Sequence, residues 1–250
     1  MTQQPLSRVG ELLHAEGIGT WGVVDLQSAE TGNRHSSAED SARPLSAHRR
    51  RQYAQWIAQG RQGSMDWLRR DAQAKYRAGR LLPGARSLVS VALPYRQEVP
   101  WPRPEARAPE AGESAWPRVS RYALGRDYHK ELGRALKRIS RTLAAEYPGH
   151  RFRSFTDATP LSERHFAEQA GLGFTGRNTL LINHSLGSWF FLGEIITTLL
   201  LPPRAPDGGG TGRCPRSCTR CIAVCPTGAL EGPMRINASR CISYLTIEHN

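Results

Sequence analysis

The sequence predicts a mixed α/β (α+β) domain followed by a small cysteine-centred domain, on three observations. Amphipathic helical patterns and short apolar strand patterns interleave through the first two hundred residues. Proline- and glycine-rich breaks punctuate them at 27–44, 97–117 and 202–213. All five cysteines lie after residue 213. The domain boundary is placed at the third break, giving units 1–201 and 202–250.

Taken in order, residues 6–16 predict a helix with Leu6, Val9, Leu12 and Leu13 on one side, and 45–59 another with Ala54, Ile57 and Ala58. Leu88 to Leu93 reads as a buried strand and Arg118 to Leu124 as a second. The clearest helix covers 127–147. There Leu132, Ala135, Leu136, Ile139 and Leu143 recur at three- and four-residue steps, opposite an Arg/Lys-rich face. Phe152 to Thr156 is a short strand. Thr159 and Pro160 then open a helix reaching Gly171, because proline at the first helical position loses no needed N–H. Thr179–Ile182 and Ser188–Thr198 flank a turn at 183–187 and predict a hairpin.

Charge narrows the partners. The 250 residues carry 34 cations against 22 anions, a net +12, and only three cations are lysine (Lys75, Lys130, Lys137). Guanidinium forks grip phosphate bidentately and stack on flat rings, so this balance suits a polyanion. The longest apolar stretch, Trp189 to Leu201, is broken by Gly193, Glu194, Thr197 and Thr198 and is too short to span a bilayer. Residues 1–10 show no basic cluster followed by an apolar run, so the expected location is the cytoplasm, with no membrane partner.

Cys218-x2-Cys221-x3-Cys225-Pro226 matches the end of the bacterial iron–sulfur run C-x2-C-x2-C-x3-C-P. Thiolates this close on one loop can take several corners of a single cubane, while the fourth serves a second cluster. Structural zinc also accepts four thiolates, but zinc sites usually show two separated pairs and no terminal Cys-Pro. Cys214 stands one residue further away than the ferredoxin spacing allows, and Cys241 follows later. Two cubanes need eight thiolates and five are present, so the chain is expected to be cut short of a second run.

Three earlier stretches carry chemistry-bearing residues. Asp157 to Arg164 sits at a strand-to-helix junction, where a partly shielded carboxyl can donate a proton; an N-cap or an ion pair with Arg164 explains it as well. Gly171 to Thr179 allows close backbone approach to a large ligand, or merely caps a helix. Ser120 to Lys130 mixes aromatic and cationic side chains ahead of the long helix, as a stacking or phosphate site or a polar helix start would.

Taken together, these stretches resemble the epoxyqueuosine reductase family. The match runs in order through Gly63-Ser64-Met65-Asp66-Trp67-Leu68, Pro83 to Ser87, Arg121 to Lys130, Asp157 to Arg164, Ala170 to Leu181, Gly187 to Glu194, Cys218 to Ala229 and Arg240 to Glu248. The resemblance implies a cobalamin-binding α/β catalytic domain beside a partial ferredoxin-like domain for two [4Fe–4S] clusters, with Cys214, Cys218, Cys221, Cys225 and Cys241 as metal ligands. It implies reduction of epoxyqueuosine to queuosine at the tRNA wobble position, the last step of queuosine synthesis. The D-x-x-P-x-x-E-R block makes Asp157 the proton donor, and cobalamin contacts map onto Arg77, Ser120, Asp157, Gly176 and Ser243. The implied partners are the anticodon stem-loop and an external electron donor, and the implied state is a monomer. Two other classes are weighed beside it: a corrinoid/iron–sulfur reductive dehalogenase, which usually carries a twin-arginine export signal, and a ferredoxin-type electron carrier with no substrate of its own.

Overall fold

The computed structural model describes residues 4–27, 45–70, 72, 74–96, 120–207 and 212–249. The breaks expected at 27–44 and 97–117, the start of the strand expected at 118–124, and the three consecutive glycines lie wholly or almost wholly outside these residues.

Four strands form one sheet: β1 (Thr20–Asp25), β2 (Ser87–Pro94), β3 (Phe152–Phe155) and β6 (Phe190–Thr197), in the order β1-β2-β6-β3. Every pairing is antiparallel, so the α+β form of the expected class is the one adopted. Helix α1 (Pro5–Ala15) precedes β1, and α2 (Leu45–Ala58) and the short α3 (Trp67–Arg70) precede β2. The long α4 (Tyr128–Glu146) leads into β3, and α5 (Glu163–Gln169) follows it. Strand β4 (Phe174–Thr175) pairs with β5 (Leu181–Ile182). Beyond β6 come α6 (Arg220–Ala223), the hairpin β7 (Leu230–Gly232) and β8 (Arg235–Ile236), and a π-helical turn at Tyr244–Glu248.

Strand alternation explains the layering. Val89 and Val91 of β2 and Ile195 of β6 face α1 and α4, where Val9, Leu13, Leu132, Leu136, Ile139 and Leu143 close one core. Leu88, Ala92 and Ile196 face the other way and pack with Leu82, Phe155, Phe166 and Leu172. The sheet is thus covered on both sides. Gly193 permits the first layer, since a Cβ there would lie 2.6 Å from Leu136 Cδ1 and 3.2 Å from Leu132 Cδ2. Leu136 is fully buried over that glycine. Leu136→Ala should therefore cost about 2–5 kcal/mol, read as a lowered urea midpoint at unchanged m-value.

Three expectations are corrected. Residues 121–123 form a single 3-10 turn rather than the strand expected at 118–124. The helix expected to open at Thr159-Pro160 begins at Glu163, because residues 157–162 are spent on a turn that holds Asp157 at φ 48°. The hairpin expected across 183–187 reduces to one bridge, Asn183–Gly187, closed by backbone bonds of 2.8 and 2.9 Å. Beyond it the chains part: β5 pairs with β4, and β6 with β2 and β3. Strand β1 was not anticipated, although Trp21-Gly22-Val23-Val24 is a short apolar run.

Candidate active site and cysteine segment

Asp157 follows directly on the C-terminal end of β3, in left-handed backbone conformation and exposed to solvent. Its neighbours hold it from three sides. Thr156 is buried, and its hydroxyl donates to Leu192 O of β6 at 2.7 Å, which fixes the strand end. The Asp157 N–H donates to Glu163 Oε1 at 2.7 Å, closing the turn onto the first residue of α5. Tyr128 Oη donates to Asp157 Oδ2 at 2.9 Å, and His129 Nε2 lies 3.4 Å from the same oxygen.

Tyr128 is itself locked by stacking, with Phe191 of β6 at 3.9 Å and 4° and His129 at 4.0 Å between ring centroids. Burial, then the bond to Asp157, pushes its phenol above the usual range, so it stays a donor at every ordinary pH. His129 is steered by Asp127, the N-cap of α4, whose Oδ1 accepts the His129 N–H and contacts Nδ1, both at 3.0 Å. The hydrogen bond from His129 holds the Asp127 carboxyl below the usual carboxylate range. The Asp-Tyr-His run at 127–129 forms the polar helix start, and Tyr128 stacks within the chain on Phe191 and His129.

Behind Asp157 lie two carboxyls that sequence reasoning missed. Glu194 is paired directly with Ser90 on β2 and with Phe155 on β3, on the face of the sheet that α5 covers. It is fully buried, and neither carboxyl oxygen has a hydrogen-bond partner of full geometry; Glu163, Ser90 and Asp157 are the polar groups acting on it. Burial pushes Glu194 well above the usual carboxylate range, and burial likewise pushes Glu163 up to about 7. The available signal was an acidic residue at an inward alternation position of a predicted apolar strand.

The other expected contact residues are spread around this centre. Arg77 and Ser120 are exposed and immediately precede 3-10 turns at 78–80 and 121–123. Gly176 is buried, and a Cβ there would meet Ile182 Cδ1 at 2.5 Å and Asn178 Oδ1 at 2.7 Å, so its own turn requires the glycine. That turn reaches both ways. Arg164 of α5 donates to Thr179 O, while Arg177 O accepts from Met234 N of the late hairpin at 2.9 Å. Ser243 is exposed and adjoins Tyr244, whose ring fills the space a Cβ at Gly63 would need and whose hydroxyl meets Ser64 Oγ at 2.7 Å. A cavity of about 610 Å³ opens between α2 and the late hairpin, lined by Arg49, Tyr53, Trp56, Lys75, Arg164 and Arg235 among others. Arg49 there is paired with Glu168 at 3.1 Å, and Lys75 lies 5.3 Å over the Tyr53 ring.

Cys214, Cys218, Cys221 and Cys225 lie on the loop around α6, Cys241 follows the 3-10 turn at 238–240, and all five are free and partly buried. Cys218 N–H donates to Pro215 O at 3.0 Å, forming the tight turn between Cys214 and Cys218. Backbone N–H groups of Leu230, Ala229 and Thr227, with the Thr227 hydroxyl, hold the Cys225 thiol below its ordinary range. A thiol lined by amide N–H groups gives up its proton more readily, which suits an iron–sulfur ligand. Among the described residues, no three His, Cys, Asp or Glu side chains converge on one metal position. No helix among them is long and apolar enough to cross a membrane.

Comparison with known proteins places this geometry. Residues 76–158 match the family model described as epoxyqueuosine reductase QueG, DUF1730, and residues 213–250 match a 4Fe-4S double cluster binding domain. An epoxyqueuosine reductase of Pseudomonas aeruginosa is 41% identical over 260 aligned positions, covering the whole of this chain and 65% of that protein. The chain belongs to the epoxyqueuosine reductase family. Its Gloeobacter violaceus relative is 43% identical over 198 residues, 78% of this chain and 56% of that protein. A crystal structure of epoxyqueuosine reductase with an epoxyqueuosine-modified tRNA-Tyr stem loop superposes with a TM-score of 0.70 at 28% identity, covering 96% of this chain and 56% of that one. The chain thus spans between half and two thirds of the length of these epoxyqueuosine reductases, and its late cysteines lie in the region that matches the 4Fe-4S domain.

Proposed function

We propose that this protein reduces epoxyqueuosine to queuosine in tRNA, with Asp157 as the group that delivers the proton. The observation that carries the reading is the constrained Asp157: a family match ends at residue 158, and the carboxyl beside that end is solvent-facing yet held by Tyr128 and His129, with its backbone N–H tied to Glu163. Residues 1–201 form the catalytic unit and 202–250 the iron–sulfur unit. Cys218, Cys221 and Cys225, with Cys214 and Cys241, are the thiols to ligate clusters, and Arg77, Ser120, Asp157, Gly176 and Ser243 border the corrinoid. When bound, the clusters and the corrinoid supply electrons and a reduced cobalt centre able to open an epoxide.

The chain's own part is proton delivery and positioning. Opening an epoxide leaves an alkoxide, a poor leaving group that departs as water only once it has been protonated. A carboxyl within hydrogen-bond reach performs that transfer. Tyr128 donates to Oδ2 whatever the pH, so the carboxyl's orientation is fixed and the remaining oxygen carries the mobile proton. Stem-loop RNA is met through phosphates and stacked bases, and the net charge of +12 with exposed Tyr122 and Trp189 near Tyr128 and Tyr95 suits both. The protein acts as a cytoplasmic monomer with an external electron donor.

The test is conversion of epoxyqueuosine-containing tRNA by the complete protein, reconstituted anaerobically with iron, sulfide and cobalamin and driven by a chemical reductant. Queuosine is expected in digested tRNA by mass spectrometry. Loss of halide from haloaromatic substrates, or dye reduction alone with intact epoxide, would overturn the reading.

A further inference from the structure

We propose that Glu163 is a positioning residue whose carboxylate latches the Asp157 turn in its left-handed conformation. The inference rests on the reading of Asp157 as the proton donor and concerns what keeps that carboxyl aimed.

A non-glycine residue at φ 48° is uncommon even for Asp, and a specific hydrogen bond fixes it there. The one bond to the Asp157 backbone N–H comes from Glu163 Oε1, six residues on, at 2.7 Å. The contact is no ordinary helix cap. Ser162, at the N-cap of α5, makes no side-chain cap bond, and Glu163 reaches back past it to the strand end. Both ends of the turn are anchored independently, Thr156 on Leu192 O and Ser162 N–H on Lys75 O at 2.8 Å. The Glu163 bond is therefore what decides how the residue between them is turned.

Glu194 supplies the second observation. A fully buried carboxyl without a full-geometry partner is costly. Its neighbour across the layer is Glu163, and two carboxyls this close share one proton. The shared proton rests on the more buried Glu194, which leaves Glu163 the charge that strengthens its bond to the Asp157 N–H. The groups facing the pair are Asp157 from the turn, Arg164 from α5, Ser90 from β2 and Tyr128 from α4, with His129 one step removed on Asp157. Protonating Glu163 weakens the latch, so it tightens as pH rises through about 7.

The experiment uses the complete, reconstituted protein in three variant forms: Glu163→Ala, Glu163→Gln and Asp157→Asn. Amide hydrogen exchange of the peptide spanning 156–162 is followed alongside kcat and KM. Glu163→Ala is expected to speed exchange in that peptide, and lower kcat, by about tenfold with KM little changed. Glu163→Gln keeps an acceptor oxygen and should recover both to within about threefold while removing the step in protection near pH 7. Wild-type exchange and kcat in Glu163→Ala would overturn the proposal. If that variant does not fold, Glu163→Gln decides: loss of the pH step in protection supports the latch, and an unaltered step overturns it. Asp157→Asn retains its backbone N–H, so its exchange tests the latch even if undiminished turnover removes Asp157 as the acid.

Discussion

Asp157→Asn is expected to lower kcat for epoxide reduction by about 10²–10⁴-fold, the usual contribution of a positioned general acid. Asn fills the same volume and can keep the contact with Tyr128 Oη, and its backbone N–H still meets Glu163. The turn therefore survives and only the transferable proton is lost. The measurement is single-turnover formation of queuosine, with the corrinoid absorption spectrum recorded on the same sample. Near-normal turnover would remove Asp157 from the chemistry, and a vanished corrinoid spectrum would make it a binding residue instead.

The second large effect concerns stability. Glu163 has a folded-state pKa of about 7 against an ordinary 4.5, because burial penalises its charged form, and Glu194 is raised further for the same reason. The native state therefore holds more protons than the unfolded chain across that interval, and stability falls as pH rises through it. For Glu163 the loss amounts to about 3 kcal/mol between pH 4.5 and 7, at 1.36 kcal/mol per unit. Urea unfolding at closely spaced pH values should show this decline, and Glu163→Gln should flatten it by removing the titrating carboxyl. A wild-type stability rising over the same range would contradict the paired-carboxyl account.

Helices with a full apolar stripe were legible in the sequence. Leu132, Ala135, Leu136, Ile139 and Leu143 set the bounds of α4 to within a residue of the structure, because five core contacts at helical spacing admit one conformation. Short elements set by tertiary contact were not. The stretch containing Tyr122 has strand-like composition but bends into a 3-10 turn, where Tyr122 lies close to Tyr95 and Tyr128. Pro160 suggested a helix start, yet the turn around Asp157 consumes it and delays the helix to Glu163. Asp157 itself was found through its motif. Its partners were not, because Tyr128 and His129 come from another helix and Glu194 stood in the sequence only as a polar interruption of an apolar run.

The ties between the early helical region and the late hairpin bear on how the molecule is made. Trp56 Nε1 donates to Ile236 O, Ala238 N–H to Arg61 O, Ser64 N–H to Tyr244 Oη, and Arg61 meets Glu231. Partners such as Trp56 and Ile236 stand 180 positions apart, so this seam cannot close until almost the whole described chain has left the ribosome. The sheet can form beforehand, whereas the late hairpin docks only once both sides of the seam are present, so the packing of residues 231–244 depends on helices made long before them.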